Sequence, residues 1–180
     1  ELIFKDMQIE FEKKLLEFGL SYGVNHNDIY KISSQRGGGN HIIVRLISSL
    51  PVNKQIGGSK NGNDDQIIGI FKFKFLASGL ESDILVFTFR STLKTQIEFL
   101  IIPADELMRR LIRKYSSSVP CKSVEMVFSL MEDGAVYDTT NISPEGEWYY
   151  LSKGFNGRMA DDKDMDFTMF LNNWELLNLQ

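Results

Sequence analysis

The sequence predicts an α+β domain with a mixed β-sheet of five or more strands flanked by helices. Three apolar strands follow one another at Gln66–Leu76, Asp83–Arg90 and Ile97–Pro103, and an amphipathic helix at 104–115 comes directly after them. The first strand alternates Phe with Lys, which is typical of a strand with one buried face. We therefore expect these strands at the centre of the sheet, with the helices at 4–22 and 104–115 packed on it.

The chain before these strands predicts one helix and two strands. Apolar residues recur at three- and four-residue spacing over residues 4–22, and glycines near the end of that segment are stop signals. Ile29–Ser33 and His41–Ser49 predict two strands joined by a glycine-rich hairpin connection. Residues 53–65 hold no apolar period and are rich in Gly and Asn, so they predict a surface loop.

The C-terminal third predicts shorter elements. Val124–Leu130 and Ala135–Asp138 indicate a hairpin, and Trp148–Leu151 indicates another short strand. Asp166 is a candidate N-cap for a final helix. The apolar residues of that helix expected to face the core are Phe167, Phe170, Leu171 and Trp174. Elsewhere the residues expected to be buried are Phe73, Phe87, Phe99, Ile101, Leu107 and Leu111.

Length and composition narrow the class of protein. The 180 residues argue for one α+β domain over 1–180, and a start at Glu1 without Met suggests a trimmed chain or a fragment of a longer one. The single Cys121 favours a reducing, cytoplasmic compartment over a disulfide scaffold. No apolar run approaches the roughly 20 residues of a membrane span, so no membrane partner is expected. The net charge of −4 means that any nucleic-acid surface must be local.

Lys72, Lys74 and Asp83 form the first candidate site. An acid at a strand end, near a lysine of the neighbouring strand, is what a metal-dependent phosphodiesterase needs. The carboxylate holds Mg²⁺ and the lysine offsets the charge that develops on the phosphate. The alternative is that Asp83 is a turn residue and that both lysines lie on the exposed face of a half-buried strand.

The helix at 104–115 carries a second candidate site. Its cations lie within six residues: Arg109, Arg110, Arg113 and Lys114. Together they could bind the phosphates of duplex DNA. The alternative is a solvated helix face opposite the core.

The middle of the chain resembles the restriction-endonuclease-like (PD-(D/E)XK) superfamily. The resemblance lies in FKFKF, SDILVFTF and EFLIIPADELMRRL, together with the closing FLNNWELL, and covers about a third of the chain. It implies a helix followed by a mixed sheet. It also implies cleavage of DNA with Mg²⁺ held by an Asp and by the acid of an E-x-K strand.

On this resemblance, Phe71–Phe75 would be the E-x-K strand, with Lys72 or Lys74 as its lysine. The acid of that motif is missing from this chain. The carboxylates left to hold the metal would be Asp83 and, from the first helix, Glu10 or Glu12.

The leading hypothesis is a nucleic-acid-associated domain of the restriction–modification kind. It would be either a divergent Mg²⁺-dependent nuclease or an inactive relative that binds duplex DNA. The alternative is a protein–protein interaction module without catalytic activity, whose aromatic strands fill a core.

Overall fold

The computed structural model describes residues 2–25, 28–34, 40–50, 67–74, 81–90, 96–115, 123–131, 133–139 and 163–177. The α-helices are α1 (Leu2–Glu17) and α2 (Ala104–Tyr115). The strands are β1 (Leu20–Asn25), β2 (Ile29–Ser34), β3 (His41–Ser48), β4 (Ile67–Lys74), β5 (Ile84–Arg90), β6 (Ile97–Pro103), β7 (Ser123–Leu130) and β8 (Val136–Asp138). Short 3-10 helices follow at Thr168–Phe170 and Trp174–Leu177.

The strands form two sheets. The larger is five-stranded and mixed, in the order β1-β2-β3-β5-β6. Strands β1 to β3 are an antiparallel meander, β3 runs parallel to β5, and β6 is antiparallel to β5. The smaller is antiparallel, in the order β4-β7-β8. The predicted α+β class with a five-stranded mixed sheet is therefore confirmed.

The prediction of three central strands is correct for β5 and wrong for the other two. Strand β6 forms an edge of the large sheet, and β4 does not belong to that sheet. Strand β4 pairs with β7 along its whole length, and Lys72 stands opposite Glu125. The side chains of Phe71 and Phe73 instead point toward the five-stranded sheet and pack against Phe87 of β5. The ring centroid of Phe87 lies 4.9 Å from that of Phe71 and 5.6 Å from that of Phe73. The alternation of Phe and Lys correctly indicated a buried face, but it could not identify the neighbouring strand.

The five-stranded sheet is buried on both faces along β5 and β6. On one face α1 covers a core that includes Phe11, Phe99 and Ile101. On the other face the small sheet and α2 cover a core that includes Leu100 and Ile102. The residues predicted to be buried are all 3% exposed or less: Phe73, Phe87, Phe99, Ile101, Leu107 and Leu111.

The predicted helix at 4–22 is too long, because α1 ends at Glu17. Gly19 follows with φ of 71°, a left-handed conformation that ends helices and that glycine adopts without strain. Strand β1 begins at the next residue, and Tyr22 stands opposite Ile32 of β2. The chain thus reverses direction at Gly19 and enters the sheet.

The C-terminal predictions are confirmed in part. Strands β7 and β8 form the expected hairpin, with Gly134 at φ of 88° in the turn. Short 3-10 helices replace the predicted final helix, although Phe167, Phe170 and Trp174 are buried as expected. The Asp166 carboxylate accepts the Thr168 N–H at 2.9 Å, while Phe167 holds the N-cap position. The predictions for 53–65 and Trp148–Leu151 lie outside the described residues.

Candidate functional site

Asp83 ties β5 to two neighbouring elements. Its Oδ2 accepts the Ile43 N–H at 2.8 Å, and its own N–H donates to the Ile43 carbonyl at 2.8 Å. Its carbonyl accepts the Ala104 N–H at 2.9 Å, where α2 begins. These contacts favour the turn-residue interpretation of Asp83, since its carboxylate holds β3 and its backbone carbonyl holds the start of α2.

Lys72 and Lys74 lie on the outer face of the small sheet. Side chains alternate along a strand, so they point away from the five-stranded sheet that Phe71 and Phe73 contact. The Lys72 ammonium pairs with Glu125 at 3.3 Å, and both side chains are more than half exposed. An exposed pair of this kind contributes little stability.

Glu10 and Glu12 lie on α1, on the opposite side of the five-stranded sheet. Glu12 accepts hydrogen bonds from the hydroxyls of Tyr22 at 3.2 Å and Tyr30 at 3.0 Å. Burial, followed by the hydrogen bond to Glu12, raises the pKa of Tyr30 above its usual value. Glu10 lines a cleft of about 420 Å³ between α1 and the start of β6, where Ile97 forms part of the wall.

The structure therefore does not bring the predicted metal ligands and lysines together. The glutamates, Asp83 and the lysines belong to three successive layers: α1, the five-stranded sheet and the outer face of the small sheet. In the part of the chain that is described, no three His, Cys, Asp or Glu side chains are grouped to hold a metal ion. The Mg²⁺ requirement and the nuclease activity stay predictions.

Arg110 of α2 is only 6% exposed and acts within the fold. Its Nε donates to Glu106 at 2.9 Å, and its Nη1 donates to the carbonyl of Asp166 at 2.7 Å. The guanidinium lies 4.5 Å from the Phe167 ring centroid and 5.1 Å from that of Phe170. Arg110 thus fastens the C-terminal segment at 163–177 to α2 and is not available to a phosphate.

The other arginines of α2 face carboxylates of the same chain. Arg109 contacts Glu106 at 2.8 Å and Asp164 at 2.9 Å, and Arg113 pairs with the second oxygen of Asp164. Hydrogen bonds from Arg109 lower the pKa of Glu106 to about 2, and Arg113 with Arg109 lowers the pKa of Asp164. The side chain of Lys114 lies outside the described residues. The positive charges of the described residues in the predicted basic surface are therefore largely neutralised by carboxylates of the same chain.

The two edges of the five-stranded sheet differ. At β6, Asn172 donates its N–H to the Phe99 carbonyl at 2.7 Å and accepts the Phe99 N–H on its side-chain oxygen at 3.1 Å. Leu171 forms a bridge with Leu100 beside it. At β1, no strand or bridge of the described residues pairs with the outer side. Described residues therefore cap the β6 edge, whereas none of them pairs with the β1 edge.

Strand β1 has the composition of an edge that can accept a partner. Its six residues, LSYGVN, include no charge and no proline. Leu20 is buried and Tyr22 is partly buried, whereas Gly23, Val24 and Asn25 are exposed, with Val24 at 46%. Natural edge strands usually carry charges, prolines or bulges that prevent pairing. Sequence reasoning missed this site because its first residues were assigned to a helix, although Leu20, Tyr22 and Val24 alternate as in a strand.

The described residues form a two-sheet α+β fold, and none of them pairs with the outer side of β1. Compared with protein-family models, curated proteins and solved structures, the chain matches none. The resemblance to restriction-endonuclease-like proteins therefore stays a prediction. In the described residues, neither helix is long and apolar enough to cross a membrane.

Proposed function

We propose that this chain is a protein-interaction module that binds an extended partner segment along the open edge of β1. In any edge strand, half of the backbone N–H and C=O groups point away from the sheet. A partner strand satisfies those groups and gains specificity from its alternating side chains. The single observation that carries the proposal is the exposed, uncharged β1 edge, which none of the described residues pairs.

The contrast with β6 supports this proposal. Residues 171–172 cap the β6 edge with two hydrogen bonds to Phe99, so that edge is closed to a partner at its middle. No comparable segment of the described residues reaches β1. A chain that covers one edge and leaves the other uncharged is arranged for pairing at the second.

The contacts of the basic residues favour this function over the nucleic-acid hypothesis. Arg110 is buried among backbone carbonyls and aromatic rings, and Arg109 and Arg113 face Glu106 and Asp164. Phosphate contacts depend on cations that can release their counterions to solution. Arginines already paired with acids of their own chain contribute less to such binding.

A peptide-display selection tests the proposal. We expect selected peptides to alternate apolar and polar residues and to lose binding when alternate backbone amides are N-methylated, because β1 would pair with the main chain. Val24→Lys should abolish binding. Ile112→Lys is the matched control, since Ile112 is an apolar residue of α2 with nearly the same exposure, 47% against 46%.

A gel-shift titration with duplex DNA over a salt series tests the competing hypothesis. The interaction module predicts weak binding or none. Tight binding that falls steeply with salt, together with failure to select any β1-dependent peptide, would favour the nucleic-acid-associated domain.

A further inference from the structure

We propose, building on the interaction module, that the partner strand is β1 of a second copy of this chain. Two copies would join antiparallel across a two-fold axis and merge their five-stranded sheets into one continuous sheet. Such a contact uses the same surface on both copies and closes after two, so it forms a dimer rather than a fibre.

The alternation of side chains restricts the register of this pairing. An antiparallel pair related by a two-fold axis perpendicular to the sheet keeps each residue on its own face. Even-numbered residues of β1 face α1, because Leu20 and Tyr22 both belong to the core on that side. Even-numbered residues must therefore stand opposite even-numbered residues, and odd-numbered residues opposite odd-numbered ones.

One such register places Gly23 on the axis. Tyr22 then stands opposite Val24 of the second copy, and Ser21 stands opposite Asn25. An aromatic residue opposite a β-branched one is a favourable cross-strand pair. The register covers Val24, which is 46% exposed in the single chain, and leaves polar pairs on the other face.

A further property of β1 favours its own copy as the occupant. Identical strands bring like charges together wherever they carry charges, and β1 has none. A Cβ at Gly23 would meet no described atom within 4 Å, so the sheet face beside the axis has room for the small side chain that a cross-linking test requires.

Disulfide trapping tests the register. Residues opposite one another in an antiparallel pair have Cα atoms about 4.5–5.5 Å apart, within the range of roughly 4.4–6.8 Å that a disulfide spans. In a Cys121→Ser background, Gly23→Cys should give a covalent dimer on mild oxidation. Ile112→Cys, at an exposed position on α2, should give no covalent dimer, and neither should the background chain.

Light scattering over a concentration series tests the association itself. We expect the unmodified chain to dimerise with rising concentration, and Val24→Lys to weaken dimerisation at least roughly tenfold, because a charge resists desolvation against Tyr22. Ile112→Lys should leave dimerisation unchanged, and equal thermal melting of both variants would show that the fold is intact.

The outcomes separate this inference from the proposed function. A chain that stays monomeric at every concentration and fails to cross-link at Gly23→Cys overturns the second copy as partner. If extended peptides still bind that chain, and Val24→Lys abolishes their binding, the proposed interaction module is retained with a different partner. If neither self-association nor peptide binding occurs, both proposals are wrong.

Discussion

The guanidinium of Arg110 lies 4.5 Å from the ring centroid of Phe167, and the two residues are 6% and 0% exposed. The same guanidinium donates to the Asp166 carbonyl at 2.7 Å and to Glu106 at 2.9 Å. One buried cation therefore joins α2 to the C-terminal segment at 163–177. That segment also caps the β6 edge through Asn172.

Arg110→Ala should lower the free energy of unfolding by about 2–4 kcal/mol, because it removes charged hydrogen bonds and a buried cation–π contact. Urea denaturation measures the loss. Arg113→Ala is the control, since the Arg113 side chain is 60% exposed and its pair with Asp164 is near the surface. That variant should lose less than about 1 kcal/mol. Equal, small losses in the two variants would contradict the anchoring role of Arg110.

Phe99→Ala should cost about 3–5 kcal/mol, the range for truncating a buried Phe. Phe99 is 2% exposed and packs edge-on against Trp174, with ring centroids 5.2 Å apart. Phe18→Ala is the comparison, because Phe18 also contacts Trp174 but is 53% exposed. Chemical denaturation should show a loss under about 1 kcal/mol there. A similarly small loss for Phe99→Ala would mean that β6 faces solvent.

Gly69→Ala should destabilise the fold by about 1–3 kcal/mol, as overpacking of a core does. A Cβ on Gly69 would lie 2.6 Å from Cε2 of Phe71 and 2.7 Å from Cε1 of Phe89, where β4 approaches β5. Gly23→Ala is the matched control in another strand, since its Cβ would meet no atom within 4 Å. Thermal melting should separate the two variants. A Gly69→Ala chain as stable as Gly23→Ala would show that the sheets are farther apart.

Acid should loosen the contact between α2 and the C-terminal segment. Arg109 lowers the pKa of Glu106 from 4.5 to about 2, and Arg113 lowers the pKa of Asp164 from 3.8. A group with a lowered pKa stabilises the fold above its unfolded pKa and loses that effect as the pH falls through its folded pKa. We therefore expect stability to fall progressively from about pH 4.5 toward pH 2.

The Asp164→Asn variant identifies the source of this acid sensitivity. It should be less stable than the parent near neutral pH and should show a shallower fall in stability below pH 4.5. Glu81→Gln, at an exposed site before β5, is the control and should follow the parent curve. Parallel curves for the parent and Asp164→Asn would place the acid-sensitive groups elsewhere.

Local patterns in the sequence were sufficient for most elements and for the core. The nearly continuous apolar runs of β5 and β6, and the 3.6-residue period of α2, identify those elements because each element buries one or both of its own faces. Phe73, Phe99 and Leu111 could be assigned to the interior for the same reason. The candidate site was harder to predict from the sequence. The lysines of β4 and the glutamates of α1 looked compatible in sequence, yet the five-stranded sheet lies between them.

The pairing of strands and many side-chain contacts in this fold join residues that are far apart in the sequence. β4 pairs with β7 about fifty residues later, and Arg110 binds carbonyls more than fifty residues away. The amphipathic pattern of a segment records which side is buried, but it holds no record of which distant segment covers that side. For this reason the sequence alone was enough to establish the α+β class, α2 and the buried aromatic residues. The fold in three dimensions decided that Arg110 serves the interior, that Asp83 secures a strand junction, and that none of the described residues pairs with the outer side of β1.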